Sequence, residues 1–80
     1  MPNIKPGRYR HYKGKFYDVI GIARHSETLE EFVVYKALYR TKFGKNSLWV
    51  RPQKMFLEKV RVNNHLVARF QYKNLLRDGL

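Results

Sequence analysis

Short segments rich in β-branched and aromatic residues alternate along the chain with turn-forming glycine, proline and asparagine. Segments of this composition, bounded by turn residues, are typical of β-strands. The pattern predicts strands over residues 7–12, 16–24, 32–39, 48–51, 59–62 and 65–70. It also predicts a tight hairpin at Asn63-Asn64, because asparagine tolerates the positive φ angles that such turns require.

The third of these segments shows a period of two. Its odd positions are all apolar or aromatic, namely Val33, Tyr35, Ala37 and Tyr39, whereas its even positions are mixed. This alternation predicts a half-buried strand. A competing helix over residues 29–39 would begin at a capping box formed by Thr28 and Glu31. We favour the strand, because the run of β-branched and aromatic residues at its centre forms a helix poorly.

Pro52 ends the fourth predicted strand and is favoured in the first turn of a helix. A short helix over residues 52–58 would carry Met55 and Phe56 inward. Residues 7–70 would then form the core of one domain that spans residues 1–80, with residues 71–80 as a tail. Five or six short strands in a chain of this size predict a mainly β fold, a small SH3-like barrel with a short helical turn after Pro52.

The composition narrows the setting of the protein. The chain has no cysteine, which excludes disulfides and thiolate metal sites. No segment approaches the roughly 18 apolar residues of a membrane span, and the first residues lack the apolar run of a secretory signal. We therefore expect a cytoplasmic protein with no membrane partner.

The charge is strongly unbalanced. Seventeen Lys and Arg residues against six Asp and Glu give a net charge of +11. A field of this size favours polyanionic partners, although the same charge also serves solubility. The first fifteen residues contain five cations and no acid, whereas Glu27, Glu30 and Glu31 lie close together. The sequence therefore predicts a basic N-terminal region and one acidic spot.

Several motifs resemble a bacterial family known as domain of unknown function 1653. The two most specific are His25-Ser26-Glu27-Thr28 and Trp49-Val50-Arg51-Pro52, which are rarely found together by chance. The other matching positions are residues 7–14, Tyr17, Val19, Ala23, Arg24, Glu30, residues 33–35, Leu38, Tyr39, Leu48, Met55, Phe56, Glu58, Val60, Arg69 and Phe70. Ala68 stands where the family usually has proline. The resemblance covers residues 7–70 and implies a small standalone or appended domain with no established activity.

The run His25-Ser26-Glu27-Thr28 offers three interpretations. In a catalytic one, Ser26 or Thr28 is the nucleophile, His25 the base and Glu27 or Glu30 its orienting carboxylate. Adjacent residues on a strand point to opposite faces, which disfavours this arrangement. In a second, the run binds a ligand together with the preceding Arg24. We favour the third, a structural turn in which Ser26 and Thr28 bond the local backbone and Glu27 pairs with an arginine.

Trp49 and Arg51 share one face of the fourth strand, opposite to Leu48 and Val50. If the latter two point inward, Trp49 can stack on a base or a peptide side chain, and Arg51 can grip a phosphate or a carboxylate. We favour the opposite orientation, in which Trp49 fills the core, because tryptophan in a small domain is more often structural. Arg51 would then pair with one of two acids, Glu27 or Glu58.

In the first predicted strand, Arg8 and Arg10 share one face with Tyr12. Arginines beside an aromatic residue can track the backbone of a single-stranded nucleic acid. The alternative is a solvated edge strand whose cations discourage edge-to-edge association.

Neither a metal nor a cofactor is expected. The three histidines are far apart in sequence and have no cysteine partners, so their spacing does not indicate zinc. The five glycines are isolated, which gives neither a phosphate loop nor a dinucleotide fingerprint.

Two functional hypotheses follow. The first is a non-catalytic binding module for RNA or another polyanion, acting as a monomer or weak dimer. Arg8, Arg10, Lys13 and Lys15 would contact phosphates, Trp49 or Tyr39 would stack on bases, and Arg51 would act as a clamp. The second is a module that recognises a protein or a small ligand in a pocket around residues 25–28 and 49–51. A small hydrolase is the least favoured interpretation.

Overall fold

A computed structural model describes residues 4–73. Within this range seven strands follow one another: β1 (Gly7–His11), β2 (Phe16–Arg24), β3 (Glu31–Ala37), β4 (Leu48–Pro52), β5 (Lys59–Val62), β6 (His65–Ala68) and β7 (Phe70–Lys73). The same residues include one short helix, α1 (Gln53–Phe56), directly after β4. The predictions of a mainly β fold and of a helical turn after Pro52 are confirmed.

Most of these strands form a single antiparallel sheet in the order β4-β3-β2-β1-β7, and β5 pairs with β6 in a separate hairpin. β1 therefore lies inside the sheet, between β2 and β7, and its interpretation as a solvated edge strand is wrong. Across residues 4–73, β4 and β7 remain at the two edges, so backbone hydrogen bonds leave the sheet open and do not close it into a barrel.

The strand β2 contains a β-bulge. Val19 pairs with Tyr35 and Ile22 pairs with Val33, so the register shifts between them and Ile20 becomes an exposed extra residue. Successive strand residues alternate between faces, and one inserted residue reverses that alternation. The bulge thus places Ile22 on the same face as Val19.

The central strand β3 confirms the predicted period of two. Val33, Tyr35 and Ala37 are buried, and the strand pairs with β2 on one side and β4 on the other. The competing helix over residues 29–39 is not formed. Leu29 has a φ of 64°, in the left-handed region, which a right-handed helix beginning there cannot include.

An aromatic cluster holds α1 against one face of the sheet, which we name the inner face. Phe56 is only 2% exposed, and its ring stacks on that of Phe70 with centroids 4.2 Å apart and planes within 4°. The rings of Tyr9 and Tyr35 lie 5.4 and 5.8 Å from the Phe56 ring. Together with Val19 and Val33, these four aromatic residues form the core, and their mutual contacts stabilise it beyond the area that they bury.

The helix prediction holds for Phe56 but is wrong for Met55, which is 44% exposed. The reason is geometric. Adjacent helical residues point about 100° apart, so a helix of one turn on a flat sheet can direct only one of the two into the core.

The β5–β6 hairpin turns at Asn63-Asn64 as predicted, with φ angles of 51° and 68°. The sixth predicted strand, however, is divided in two. The chain bends at Arg69, whose N–H donates to the carbonyl of Glu58 (3.1 Å) and whose carbonyl accepts from the N–H of Tyr12 (2.9 Å).

Beyond this bend, Phe70–Lys73 pairs with β1 and no longer with β5. The chain can leave the β5–β6 ladder and join the ladder with β1 because the backbone of Arg69 is bonded to Glu58 on one side and to Tyr12 on the other. Residues 71–73 thus belong to the sheet, although the sequence places them in the tail; the rest of that predicted tail, residues 74–80, lies outside the described residues.

We expect Phe56→Ala to lower the free energy of unfolding by about 3–5 kcal/mol, because it removes the stacked ring and leaves a cavity under α1. Chemical denaturation measures this loss. Met55→Ala is the matched control on the same helical turn, and its exposed side chain predicts a change within about 0.5 kcal/mol. Equal losses in the two variants would contradict the packing described.

Candidate functional site

Arg8 and Arg10 project from the outer face of the sheet, which is the face opposite to α1. Their neighbours Tyr9 and His11 point inward, and Tyr9 is buried. The Arg8 guanidinium lies over the ring of Phe16, 5.3 Å from its centroid. Arg8 and Arg10, two of the four residues predicted to contact phosphates, therefore lie on the face away from the core.

The β1–β2 turn and the β3–β4 loop meet at one end of the sheet. The N–H of Leu38 donates to the carbonyl of Phe16 (3.1 Å), and Lys15 Nζ lies 4.7 Å from the centroid of the Tyr39 ring. We name this region the basic end and define it by the exposed cations of the two connections, Lys13, Lys15, Arg40, Lys42 and Lys45. Neither connection contains an acid, so neither offers a counter-charge of its own.

Two exposed aromatic rings accompany these cations. Trp49 is 37% exposed and Phe43 is 65% exposed, and their rings lie edge to face with centroids 5.6 Å apart. The indole N–H of Trp49 donates to Ser47 Oγ (3.0 Å), which fixes the ring in place. The basic end therefore combines positive charge with an anchored aromatic surface.

β4 has the favoured one of the two predicted orientations, but Trp49 does not fill the core. Leu48 and Val50 are exposed on the outer face, while Trp49 pairs with Tyr35 on the inner face. The strand thus has the orientation that was expected to bury Trp49. The ring nevertheless stays at the rim of the core, because β4 is an edge strand of the described sheet.

Arg51 lies two residues along the same face and joins the aromatic cluster. Its Nε–H donates to Tyr35 Oη (3.3 Å), and its guanidinium lies 5.6 Å from the centroid of Phe70. The expected ion pair of Arg51 with an acid does not occur within residues 4–73, where Glu58 pairs instead with Arg69 (3.0 Å). A guanidinium over an aromatic ring is stabilised by the ring's electrons, so Arg51 needs no acid to hold it.

The rim of the inner face next to Arg51 is made of tyrosines. The hydroxyls of Tyr17 and Tyr39 are hydrogen-bonded to each other, and the Tyr17 ring packs edge-on against those of Tyr35 (5.3 Å) and Tyr39 (5.5 Å). Burial, together with the hydrogen bond to Tyr39, raises the pKa of Tyr17. The Tyr39 hydroxyl is thus occupied within the fold, and its ring is the part that faces Lys15.

His11 lies among the same rings, with its centroid 5.0 Å from that of Phe70. Burial lowers the pKa of His11, and the positive charges of Arg51, Arg69 and Lys13 lower it further. Its Nδ1 accepts a hydrogen bond from the N–H of Lys13 (3.2 Å). That bond needs an unprotonated nitrogen, so the contact and the lowered pKa agree.

The loop that carries the His-Ser-Glu-Thr run is a self-contained turn. His25 Nδ1 accepts hydrogen bonds from the N–H groups of Glu27 (3.1 Å) and Thr28 (3.2 Å). Thr28 Oγ1 in turn accepts one from the N–H of Glu30 (3.2 Å). These contacts agree with the structural interpretation for Thr28. They add a capping role for His25 that the sequence did not suggest.

The arginine next to this turn does not pair with Glu27 as expected. Arg24 forms its ion pair with Glu31 (3.0 Å) and also donates to the carbonyl of Leu29 (3.0 Å). The reason is the β2–β3 register, which makes Arg24 and Glu31 direct cross-strand partners.

The turn and Trp49 lie towards opposite ends of the sheet. His25 adjoins the Arg24–Glu31 pair, whereas Trp49 pairs with Tyr35. Along β3, the separation from Glu31 to Tyr35 is about 13 Å at roughly 3.3 Å per residue. The structure therefore separates Trp49 from the His25 turn. Arg51 lies nearer to that turn, because it pairs with Val33, and the ring centroids of His25 and Phe32 are 6.3 Å apart.

Two clefts lie elsewhere. One, of about 440 Å³, is lined by Arg10, Tyr12, Val62, Val67, Ala68 and Gln71. A smaller one of about 300 Å³ is lined by Glu30, Glu31, Gln53 and Lys54. Of the predicted binding residues, Arg10 lines the larger cleft, and Glu30, a candidate only in the catalytic interpretation, lines the smaller one. No three His, Asp or Glu side chains among residues 4–73 come together in a group that could hold a metal ion, and no helix in the same range is long and apolar enough to span a membrane.

Sequence reasoning missed the cations and the ring of the β3–β4 loop, Arg40, Lys42, Phe43 and Lys45. The signal was present as an alternation of basic and aromatic residues around Gly44. The proximity of this loop to Lys15 depends on the β2–β3 pairing, which the loop's own residues do not reveal. Tyr12 was predicted to share a face with Arg8 and Arg10, but Gln71 had no comparable signal, since the cleft that they line exists only after the chain bends at Arg69.

Comparison with known proteins gives two matches. A family model described as "Protein of unknown function (DUF1653)" matches residues 7–72. The crystal structure of a DUF1653 protein from Bordetella bronchiseptica is 38% identical to this chain, with a TM-score of 0.78 over 89% of this chain and 88% of that one. No curated protein matches. The resemblance noted in the sequence is confirmed in both sequence and fold.

We expect His11 to titrate below the ordinary histidine value of about 6.5, and Arg51→Met to raise its pKa part of the way back, because one neighbouring positive charge is lost while burial remains. The folded state disfavours protonated His11, so stability should fall as the pH drops below that ordinary value. NMR titration of the imidazole measures the pKa. Lys54→Gln removes a distant charge and should leave the titration unchanged; an unshifted pKa in Arg51→Met would contradict the contact.

Proposed function

We propose that this chain, which belongs to the DUF1653 family of proteins of unknown function, is a non-catalytic module that binds single-stranded RNA or another polyanion. The observation that carries the proposal is the basic end, where two adjoining connections carry five exposed cations. The partly exposed rings of Phe43 and Trp49 lie in and beside the second of these connections, with Lys42 Nζ 5.3 Å from the centroid of Phe43.

The distribution of charge supports a polyanionic partner more strongly than the total does. Within residues 4–73, the two ion pairs are Arg24–Glu31 and Arg69–Glu58, and neither involves a cation of the basic end. Three of the described acids lie in or beside the β2–β3 turn, at the other end of the sheet. A solubility charge would need no such separation, whereas a phosphate-binding surface requires uncompensated cations.

The exposed rings favour an unpaired strand over a duplex. Bases that are not paired present their faces to aromatic side chains, and each such stack contributes about 1–3 kcal/mol. Trp49 suits this role because Ser47 and Phe43 already fix its ring, so little side-chain entropy is lost on binding. Lys15, over the ring of Tyr39, places a cation beside a second aromatic surface.

Arg8 and Arg10 take a secondary part in this proposal. They lie on the outer face, where Lys73 is the cross-strand partner of Arg8, and a bound backbone would have to pass around the β1–β2 turn to reach them. Arg10 lies close to that turn, because its Nη2 is 3.7 Å from the place that a Cβ atom would occupy if residue 14 had a side chain. Arg51 is held by Tyr35 and Phe70, so we assign it the role of keeping these two rings in place and not that of a phosphate contact.

The non-catalytic part of the proposal is supported by the His25 turn. A general base must accept a proton through a nitrogen or oxygen that is free to do so. His25 Nδ1 already accepts hydrogen bonds from two backbone N–H groups, which leaves the ring proton on Nε2, a donor and not an acceptor. Recognition of a neutral peptide or small ligand remains the alternative function, and salt distinguishes the two. Contacts with phosphates weaken steeply with salt, whereas recognition of an uncharged ligand should survive about 0.5 M salt.

The double variant Lys13→Gln/Lys15→Gln is expected to weaken binding to single-stranded RNA about equally for all sequences. If each lysine contacts one phosphate, the slope of log affinity against log salt should become shallower by about 1.4, or two times roughly 0.7. Fluorescence anisotropy with a labelled RNA at several salt concentrations measures both quantities.

The matched control is Lys5→Gln/Lys54→Gln, which removes the same charge at the other end of the sheet. It should leave the slope close to that of the unaltered protein. Equal changes in the two double variants would reject the basic end as the binding surface, and affinity that does not depend on salt would favour the neutral-ligand alternative.

Binding of RNA is expected to quench the fluorescence of Trp49, the single tryptophan of the chain, because a stacked base contacts its ring. Trp49→Ala should weaken binding by about 1–3 kcal/mol, whereas Leu48→Ala, which truncates the exposed neighbour on the outer face, should have little effect. Unchanged emission at saturating RNA would exclude stacking on Trp49.

A further inference from the structure

We propose that the larger cleft, between the β5–β6 hairpin and the outer face of β1 and β7, holds one unpaired nucleotide of the bound strand. This inference rests on the proposed RNA-binding function and names a second contact site for the same ligand. The cleft has a volume of about 440 Å³, which lies in the range of small-molecule sites.

The cleft exists because the chain changes partners at Arg69. Before this residue, β6 pairs with β5; after it, β7 pairs with β1. Arg69 is bonded to Glu58 on one side and Tyr12 on the other, so the hairpin leaves the sheet at this point. The space between them is bounded by Val62, Val67 and Ala68 on the hairpin side and by Arg10, Tyr12 and Gln71 on the sheet side.

The two walls differ in the way that a nucleotide requires. The hairpin side offers three small apolar side chains, which suit the face of a base. The sheet side offers a phenol ring, a guanidinium and a primary amide. The amide of Gln71 is both a donor and an acceptor and can bond to the edge of a base, while Arg10 can bind a phosphate through two parallel hydrogen bonds.

Arg10 and Tyr12 are placed for this role. Arg10 has no ion-pair partner among the described residues, and Gln71 is its direct cross-strand neighbour. The Tyr12 ring lies against the imidazole of His11, with centroids 4.7 Å apart and planes tilted by 33°. That contact restricts the phenol before any ligand arrives.

The cleft is continuous with the basic end. Lys13 follows Tyr12 in the chain, and its Nζ lies 5.8 Å from the centroid of the Tyr12 ring. The Arg10 guanidinium approaches Gly14 in the same turn. A strand whose phosphates contact Lys13 therefore passes the opening of the cleft, and one base can turn into it. A protein segment would gain nothing from this line of uncompensated cations unless it were itself strongly acidic.

NMR titration of the full chain with two probes tests the inference. The probes are a short single-stranded RNA and inorganic polyphosphate of similar charge, which has the phosphates but no bases. RNA is expected to shift the resonances of Val62, Val67 and Gln71 as well as those of the basic end. Polyphosphate should shift the basic end and leave the two valines unmoved.

Val67→Phe fills the cleft and should weaken RNA binding by about tenfold, which corresponds to the loss of one stacked base, while polyphosphate binding stays the same. Leu66→Phe is the matched control, since it adds the same ring at the adjacent residue, which does not line the cleft. Gln71→Ala is a second variant at an exposed position that does not burden the fold. We expect it to weaken RNA binding about fivefold, with Gln53→Ala as its control.

The outcomes separate the two proposals. If RNA shifts the basic end but neither valine, and Val67→Phe and Gln71→Ala bind RNA as tightly as the unaltered protein, the cleft is overturned and the RNA-binding function stands. If polyphosphate shifts the valine resonances as RNA does, the cleft binds phosphate alone, and the proposal that it holds a nucleotide is wrong. If RNA shifts no residue even at low salt, the proposed function fails and the cleft inference fails with it.

Discussion

The fold depends on the contact between the rings of Phe56 and Phe70. A chain this small has few buried residues with which to offset the entropy of folding, and the cluster around these two rings supplies most of them. The stack joins the helical turn after β4 to β7, and β7 pairs with β1. Segments distant in sequence are thereby joined, although hydrogen bonds leave the described sheet open.

The same packing decides which residues remain available to a partner. Because strand residues alternate between faces, burying Tyr9 commits Arg8 and Arg10 to the outer face, and pairing Trp49 with Tyr35 commits Leu48 and Val50 to it as well. Within the sheet, charge and exposed aromatic surface coincide at Arg8 and Phe16, but more cations can gather beside exposed rings where connections leave the sheet. The basic end is such a place, since a turn and a loop project there without the constraint of alternation.

The elements that could be predicted are those set by local chemistry. The strand Phe16–Arg24 and the turn at Asn63-Asn64 follow from residue type and punctuation, and the alternation of β3 follows from its apolar period. The predictions that failed concern features that depend on which strands and side chains pair with each other. The interior position of β1, the ion pair of Arg24 with Glu31 and the division of the last predicted strand at Arg69 all result from long-range pairing. The cations of the candidate site were visible in the sequence, but their convergence was not.

The gathering of five exposed cations at one end of the sheet, with three acids towards the other, has a consequence for the approach of any polyanion. With this distribution of charge, the domain carries a permanent electric dipole, and a dipole in the field of a charged polymer experiences a torque. The domain would be turned before contact, with the Lys15 side leading and the Glu30 side trailing. Fewer collisions would be lost to wrong orientations, and this advantage would act on the rate of association even where it adds nothing to the strength of the final complex.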